Sequence, residues 1–271
     1  MFFETKKVRI MNFGISEFSI VPVRKDPSHL TEMSTQILFG ERFKIIDKIK
    51  EWAYIELLFD GSHGWVENIS IKEMNTEEYN ILTDNKPAIL PRISVAQSID
   101  LPWLSEITLM PGSEIYGITG IMKNFNFIGK NYKLDFSIET KSETNRDNII
   151  ETAKTYMNSP YLWGGKSPCG IDCAGFVQMV YKINGISLPR DVEQQPAKGI
   201  TLSFVEEAQP GDLAFFDDDQ GQIKHVGLLL EKNQIIHASG TVRIDKFDHQ
   251  GIYREEYDQY THKLRVVKRM L

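Results

Sequence analysis

Along the first half of the chain, apolar residues recur at every second position in short runs separated by turn residues. Ile20-Val21-Pro22-Val23-Arg24 is one such run, broken by Asp26-Pro27-Ser28. Phe43-Lys44-Ile45-Ile46 and Trp52-Ala53-Tyr54-Ile55-Glu56-Leu57 follow; Asp60-Gly61 makes a hairpin turn and Gly64-Trp65-Val66 closes the set. Short strands this closely spaced predict a small barrel. A fainter echo comes later. Leu38-Phe39-Gly40-Glu41-Arg42-Phe43 matches the pattern of Leu109 to Tyr116, with Gly40 and Gly112 aligned, and strand-like residues run on to Tyr132-Lys133-Leu134-Asp135-Phe136. This repeat predicts a second, related β-domain. Met74 to Lys86 is polar and charged, a linker with one helical turn, and Lys141 to Asp147 marks a second boundary. The expected domains are 1–75, 76–143 and 144–271.

The last of these opens with a helical period over Arg146 to Asn158, carried by Ile149, Ile150, Ala153, Tyr156 and Met157. Next comes a Gly- and Pro-punctuated loop, PYLWGGKSPCGIDCAGFVQMV from Pro160 to Val180, whose helix-period end stops at Asn184-Gly185. Asp172 stands where an N-cap belongs and Cys173 is the first helical residue. At that place the helix dipole and unpaired N–H groups favour a thiolate, so the cysteine is expected to have a lowered pKa and to act as a nucleophile. The same N–H groups can hold the oxyanion of a tetrahedral intermediate. A buried structural cysteine is the competing reading.

Three strand-like runs follow, Asp212 to Phe216, His225 to Leu230 and Gln234 to Ser239, with Glu231-Lys232-Asn233 turning the second into the third. That hairpin brings His225 and His237 to the same end of the sheet. With the Cys173 helix packed on it, the result is a Cys–His–His constellation in which one imidazole is the base and the other orients it. Either histidine alone could be a half-buried strand residue. Cys169, Cys173, His225 and His237 could also form a zinc site, but C-x3-C is a poor ligand spacing and a capped helix would splay the sulfurs. No metal and no cofactor are expected.

Composition narrows the class. A chain of 271 residues suggests two or three domains, and 41% hydrophobic with 25% charged residues is ordinary for a globular protein. The net charge is −6 and no Lys/Arg run occurs, which argues against nucleic acid or an anionic membrane as partner. The 2 cysteines make neither a disulfide framework nor a C-x-x-C redox pair. The start MFFETKKVRIMNFGISEFSIV has no uninterrupted apolar stretch and no small-residue cleavage site, so a cytoplasmic location is expected.

PYLWGG, IDCAGFV, PGDLAFF, HVGLLL and IIHAS, in that order, resemble the NlpC/P60 cysteine peptidases of bacterial cell-wall metabolism. The upstream VPVRKDPSHLTEM and LLFDGSHGWV resemble the bacterial SH3 (SH3b) domains joined to a subset of them, the γ-D-glutamyl-L-diamino acid endopeptidases. The resemblance implies an α+β fold, a papain-like catalytic domain behind two small SH3b-like barrels. It implies Cys173 as nucleophile, His225 as base, His237 as the orienting residue, and Tyr161 as a donor to oxyanion or substrate. Asp172, Asp191 and Glu32 would hold the free amine of the substrate, and Ser239 would line the same pocket. The substrate would be the murein stem peptide L-Ala-γ-D-Glu-L-diamino acid, cut after γ-D-Glu during peptide recycling, by a monomer. Ala174 stands where the family commonly has serine, Ser62-His63 replace a tyrosine before Gly-Trp, and Cys169 is unusual at its position. An inert cell-wall binding module, or a thiol amidase or acyltransferase, are the other functions open to such a chain.

Overall fold

The computed structural model describes residues 12–84, 86–100, 106–118, 123–138, 144–231 and 233–271. The ends of the expected first domain and second boundary (1–11, 141–143) and Lys232 of the expected hairpin turn lie outside these.

Seven strands form the first unit: β1 (Asn12–Ile15), β2 (Ile20–Arg24), β3 (Met33–Leu38), β4 (Arg42–Ile49), β5 (Trp52–Leu57), β6 (His63–Glu67) and β7 (Lys72–Met74). They make one antiparallel sheet in the order β3-β2-β6-β5-β4-β1-β7. The two-residue period does its work here: along β5, Ala53, Ile55 and Leu57 point inward to Val21, Val23, Ile37, Phe43 and Val66. The region read as a linker is more ordered than expected. Lys72–Met74 pairs with β1, and Thr76–Thr83 is an eight-residue helix, α1, rather than a single turn. A capping box explains it: the Asn75 side chain accepts from the Glu78 N–H while the Glu78 carboxylate accepts from the Asn75 N–H.

The second unit holds β8 (Ala88–Ile89), β9 (Ser94–Ser98), β10 (Glu106–Leu109), β11 (Glu114–Ile115), β12 (Asn124–Phe127) and β13 (Lys130–Leu134). Its sheets run β10-β9-β13-β12 and β11-β8, which repeats the first unit's order β3-β2-β6-β5 and β4-β1 with one break, and Gly40 and Gly112 sit at positive φ in the equivalent turns after β3 and β10. Ile15 and Phe39 of the first unit are buried in the same apolar cluster as Leu109, Phe125, Phe127 and Leu134. The two units share a core.

The third unit begins with α2 (Arg146–Lys154), which stops short of the expected Asn158. Then come β14 (Lys166–Ser167), β15 (Gly170–Ile171), α3 (Cys173–Ile183), β16 (Ile200–Thr201), β17 (Leu213–Asp217), β18 (Ile223–Leu229), β19 (Gln234–Ser239), β20 (Thr241–Phe247), β21 (Gly251–Arg254) and β22 (Gln259–Arg269). The sheet order β16-β22-β17-β18-β19-β20-β21, with β21 also pairing to β22, curls the sheet round on itself. Phe176, Val177 and Val180 of α3 pack on Val226, Leu228, Ile236 and Ala238. The helix is buried nearly all round because the α2 region, with Ile149, Ala153 and Tyr156, and residues of the first two units, Asp60, Glu41 and Glu114, cover its other faces.

A buried charge cluster also joins the units. Glu41 receives Lys166 Nζ at 3.0 Å and Lys182 Nζ at 2.7 Å, and Lys182 also reaches Glu114 at 3.1 Å. Each unit thus contributes to one network, and burial, which disfavours the Glu41 carboxylate, is outweighed by the two lysines, leaving its pKa at about 2. Among the described residues no helix is long and apolar enough to cross a membrane.

Candidate active site

The position of Cys173 follows from local chemistry. Asp172 caps α3 with its side chain accepting from Gly175 N at 2.7 Å, and Cys173 is the first helical residue. Gly164, at φ +77, lets the preceding loop pass so near Met33 that a Cβ would sit 2.4 Å from the Met33 carbonyl oxygen. The loop, the helix start and the first unit therefore meet at one point.

The histidines come together across the β18–β19 hairpin. Gly227 lies opposite His237, and a Cβ there would collide with the Ile235 side chain at 2.6 Å. With that space clear, His237 leans diagonally to His225, whose Nε2 is 2.8 Å from His237 Nδ1. His225 is bracketed by the nucleophile's surroundings: Lys224 lines the same cavity as Cys173, and the backbone N–H of Val226 is directed at the thiol. His225 Nε2 being taken, Nδ1 is the nitrogen left for Cys173. Phe216 and His262 enclose the base, the His262 ring lying 4.2 Å from that of His225. Burial, and then His237 and His262, push His225 well below its ordinary pKa, so the resting base is neutral.

The thiol departs from expectation. Burial, reinforced by the Asp172 carboxylate, pushes Cys173 up to about 12, although N–H groups of Val226 and Ala174 and the Arg190 cation oppose this. A helix end contributes about 0.3–1 kcal/mol to a nearby anion, and burying an unpaired charge costs several times that. The resting pair is thiol and neutral imidazole.

The cavity beside Cys173 measures about 160 Å³ and is built by two units. The first supplies Lys25, Glu32 and Ser34; the third supplies Tyr161, Trp163, Asp172, Ala174, Arg190, Asp191 and Lys224 among others. A larger hollow of about 530 Å³ lies beside α1, but its lining carries no cysteine or histidine. Glu32 accepts from Trp163 Nε1 at 2.6 Å and pairs with Lys25 at 2.5 Å. The Lys25 and then the Trp163 hydrogen bond hold its carboxyl below the usual range. Tyr161 is pushed up to about 12, first by burial and then by Cys173 and Asp172, so its hydroxyl stays a donor. Asp191 is exposed on the rim and accepts from Gln194 Nε2 at 3.1 Å.

Two of the expected site residues are engaged elsewhere. Asp172 stands in the wall, but its carboxylate is already full: Gly164 N, Gly175 N and both terminal nitrogens of Arg190 donate to it, at 2.6 to 3.0 Å. With Arg190 neutralising it, Asp172 has no lone pair left for a substrate ammonium. Ser239 is not among the lining residues; its hydroxyl accepts from Arg254 Nη2 at 3.0 Å. Cys169 is exposed while Cys173 is buried. One residue escaped sequence reasoning: Asp245 on β20, whose Oδ2 is 2.8 Å from His237 Nε2. Its signal was an acid in the strand that follows the His237 strand, with Arg243 two residues before it.

Residues 158–262 match the profile of the NlpC/P60 family, and residues 23–71 match that of the bacterial dipeptidyl-peptidase SH3 domain. The chain carries an NlpC/P60 domain behind a bacterial SH3 domain. A Bacillus cereus protein named gamma-D-glutamyl-L-lysine dipeptidyl-peptidase is 29% identical over 260 residues, 85% of this chain and 75% of the relative. Dipeptidyl-peptidase 6 of Lysinibacillus sphaericus is 28% identical over 264 residues, covering 85% of this chain and 90% of its own length. The crystal structure of an NlpC/P60 family protein from Bacillus cereus ATCC 10987 superposes with a TM-score of 0.81 at 19% identity, covering 96% of this chain and 99% of that one. That likeness establishes the fold. The NlpC/P60 domain and the dipeptidyl-peptidase relatives support a peptidase activity.

Proposed function

We propose that the protein is a cysteine endopeptidase that cuts the γ-D-Glu–diamino acid bond of murein stem peptides bearing a free N-terminal L-Ala. The observation that carries this reading is the shared cavity, in which the SH3 unit's Glu32 faces the same hollow as Cys173. A wall contributed by another domain closes the groove beyond the bound amino terminus and limits it to a dipeptide's length. An ammonium entering such a space needs a carboxylate to replace its water. Glu32 and Asp191 are the acids with lone pairs to offer, Asp172 being spoken for by Arg190. The names of the relatives, gamma-D-glutamyl-L-lysine dipeptidyl-peptidase and dipeptidyl-peptidase 6, support the same substrate class.

In the reaction, Cys173 Sγ attacks the scissile carbonyl carbon as its proton passes to His225. The carbonyl oxygen, now an anion, lies near the N–H groups at the start of α3 and the Tyr161 hydroxyl. Collapse breaks the C–N bond, His225 protonates the leaving amine, and a thioester remains on Cys173. Water, deprotonated by His225, attacks the thioester and frees L-Ala-D-Glu and the thiol. We propose peptide recycling in the cytoplasm by a monomer as the setting, testable by cell fractionation and by mass in solution.

The decisive experiment is to incubate the pure protein with L-Ala-γ-D-Glu-diamino acid and to follow release of L-Ala-D-Glu by mass spectrometry. Binding without cleavage would favour an inert binding module; acyl transfer to an added amine without hydrolysis would favour an acyltransferase.

A further inference from the structure

Asp245 closes a chain of contacts that begins at the catalytic base. Its Oδ1 receives Arg243 Nη2 at 2.9 Å, which leaves Oδ2 for His237 Nε2 at 2.8 Å. Arg254 Nε lies 3.6 Å from the same Oδ2. An ionised carboxylate can only accept a hydrogen bond, so the hydrogen in the Asp245–His237 contact belongs to His237 Nε2. A neutral imidazole carries one N–H, so His237 Nδ1 is then a bare acceptor. The 2.8 Å contact between the rings must therefore take its hydrogen from His225 Nε2. His225 in turn keeps its lone pair on Nδ1, the nitrogen not engaged by His237. Remove the carboxylate and the opposite arrangement becomes available: His237 Nδ1–H donates to His225 Nε2, and His225 presents a proton instead of a lone pair to the thiol.

We infer that Asp245 is a positioning residue that fixes the tautomers of both imidazoles and so determines which nitrogen of His225 takes the proton of Cys173. The relay lies across adjacent strands, since His237 pairs with Arg243 and Ile235 with Asp245 in the β19–β20 register. The charged and titratable groups around His237 are His225 on β18, Arg243 and Asp245 on β20, Arg254 on β21 and His262 on β22. Asp245 is the anion among these. It also steadies the positive charge that the relay carries while His225 holds the thiol proton, a state in which the surrounding arginines and His262 work against it.

The inference rests on the peptidase reading only for its kinetic arm. The structural arm is nitrogen-15 NMR of histidine-labelled protein, which needs no turnover. Wild type should show His225 and His237 both protonated on Nε2, with Nδ1 bare. In Asp245→Ala, and in the isosteric Asp245→Asn should the alanine variant fold poorly, the His237 signals should shift toward Nδ1 protonation. On tripeptide, kcat should fall on the order of 10²-fold or more, as wrong-tautomer triads do, with KM within about twofold. The acid limb of the pH profile should move to lower pH, because a relay without its carboxylate holds a proton less tightly. In a His237→Ala background, adding Asp245→Ala should cost less than about a further twofold. Unchanged tautomers, an unmoved acid limb, or a full additional loss in the His237→Ala background would each overturn the inference. If wild type leaves the tripeptide intact, the peptidase reading fails while the tautomer measurement still decides the role of Asp245.

Discussion

Glu32 lines the cavity beside Cys173, His225 follows the lining residue Lys224 in the chain, and the two are held by different physics. His225 is 7% exposed, fixed within a continuous sheet, and its partners stand on neighbouring strands. Glu32 belongs to another domain, its side chain is 39% exposed, and it is held by Lys25 and by the indole of Trp163. The chemical half of the site is dry, so each hydrogen bond there is strong and each protonation state is set by burial. The recognition half is wet, and its charges are screened. One side is built to decide a proton's position; the other is built to select among ligands with little effect on the chemistry.

The comparison breaks most completely at the nucleophile. Cys173→Ala should remove turnover, a loss of at least about 10³-fold, whereas Cys169→Ser on the exposed position should retain most activity in the tripeptide assay. Alkylation of Cys173 by iodoacetamide, followed against pH in the absence of substrate, should report an apparent pKa above the unperturbed ~8.5. A value below it would mean that the helix dipole and not burial governs the thiol. Because His225 is pushed well below its ordinary pKa and must be neutral to act, the acid limb of kcat/KM should lie well under pH 6.5.

Next in size is the junction that carries Glu32 to the unit of Cys173. Glu41→Gln leaves Lys166 without its anion and Lys182 with Glu114 alone, and breaking such a buried pair costs about 3–5 kcal/mol. Urea unfolding at neutral pH measures it. Since the folded-state pKa of Glu41, about 2, is depressed from 4.5, its contribution is present above pH 4.5 and fades as pH falls toward 2. Wild type should lose stability across that window more steeply than Glu41→Gln; parallel curves would show that the ion cluster is not what joins the units.

Smaller still is the effect expected of the amine site. Glu32 is largely in water, so Glu32→Gln should lower kcat/KM for the free peptide by about five- to tenfold, short of what losing a buried charge would do. The variant should also lose most of the wild-type preference over N-acetylated peptide. Equal discrimination by both proteins would remove the SH3 unit from amine recognition. Trp163→Phe keeps the ring but deletes the N–H that holds Glu32, and a rise in KM of about twofold with kcat unchanged is expected, read from the same initial-rate curves.

Much of this was legible in the chain itself. The strands Ile20–Arg24 and Trp52–Leu57 fall where their two-residue period put them, and Asp172 caps α3 at Cys173 because capping is a contact within one turn. The resemblance of five short segments to one family agrees with the matched profile over 158–262. The linker was misjudged: α1 is stabilised by a capping box, Asn75 with Glu78, that a count of polar residues passes over.

The sequence by itself determined what depends on neighbours a few residues apart: periods, turns, the helix start, and the hairpin that puts His225 beside His237. Only the tertiary structure decided the rest. Arg190 consumes the Asp172 carboxylate from 18 positions away, Trp163 grips Glu32 across 131 positions, and Asp245 joins the relay from the third strand. Burial pushes the thiol up. The physical reason is common to all four. A charge's partners and its dielectric surroundings are set by everything that folds around it, and no local pattern encodes how much water remains.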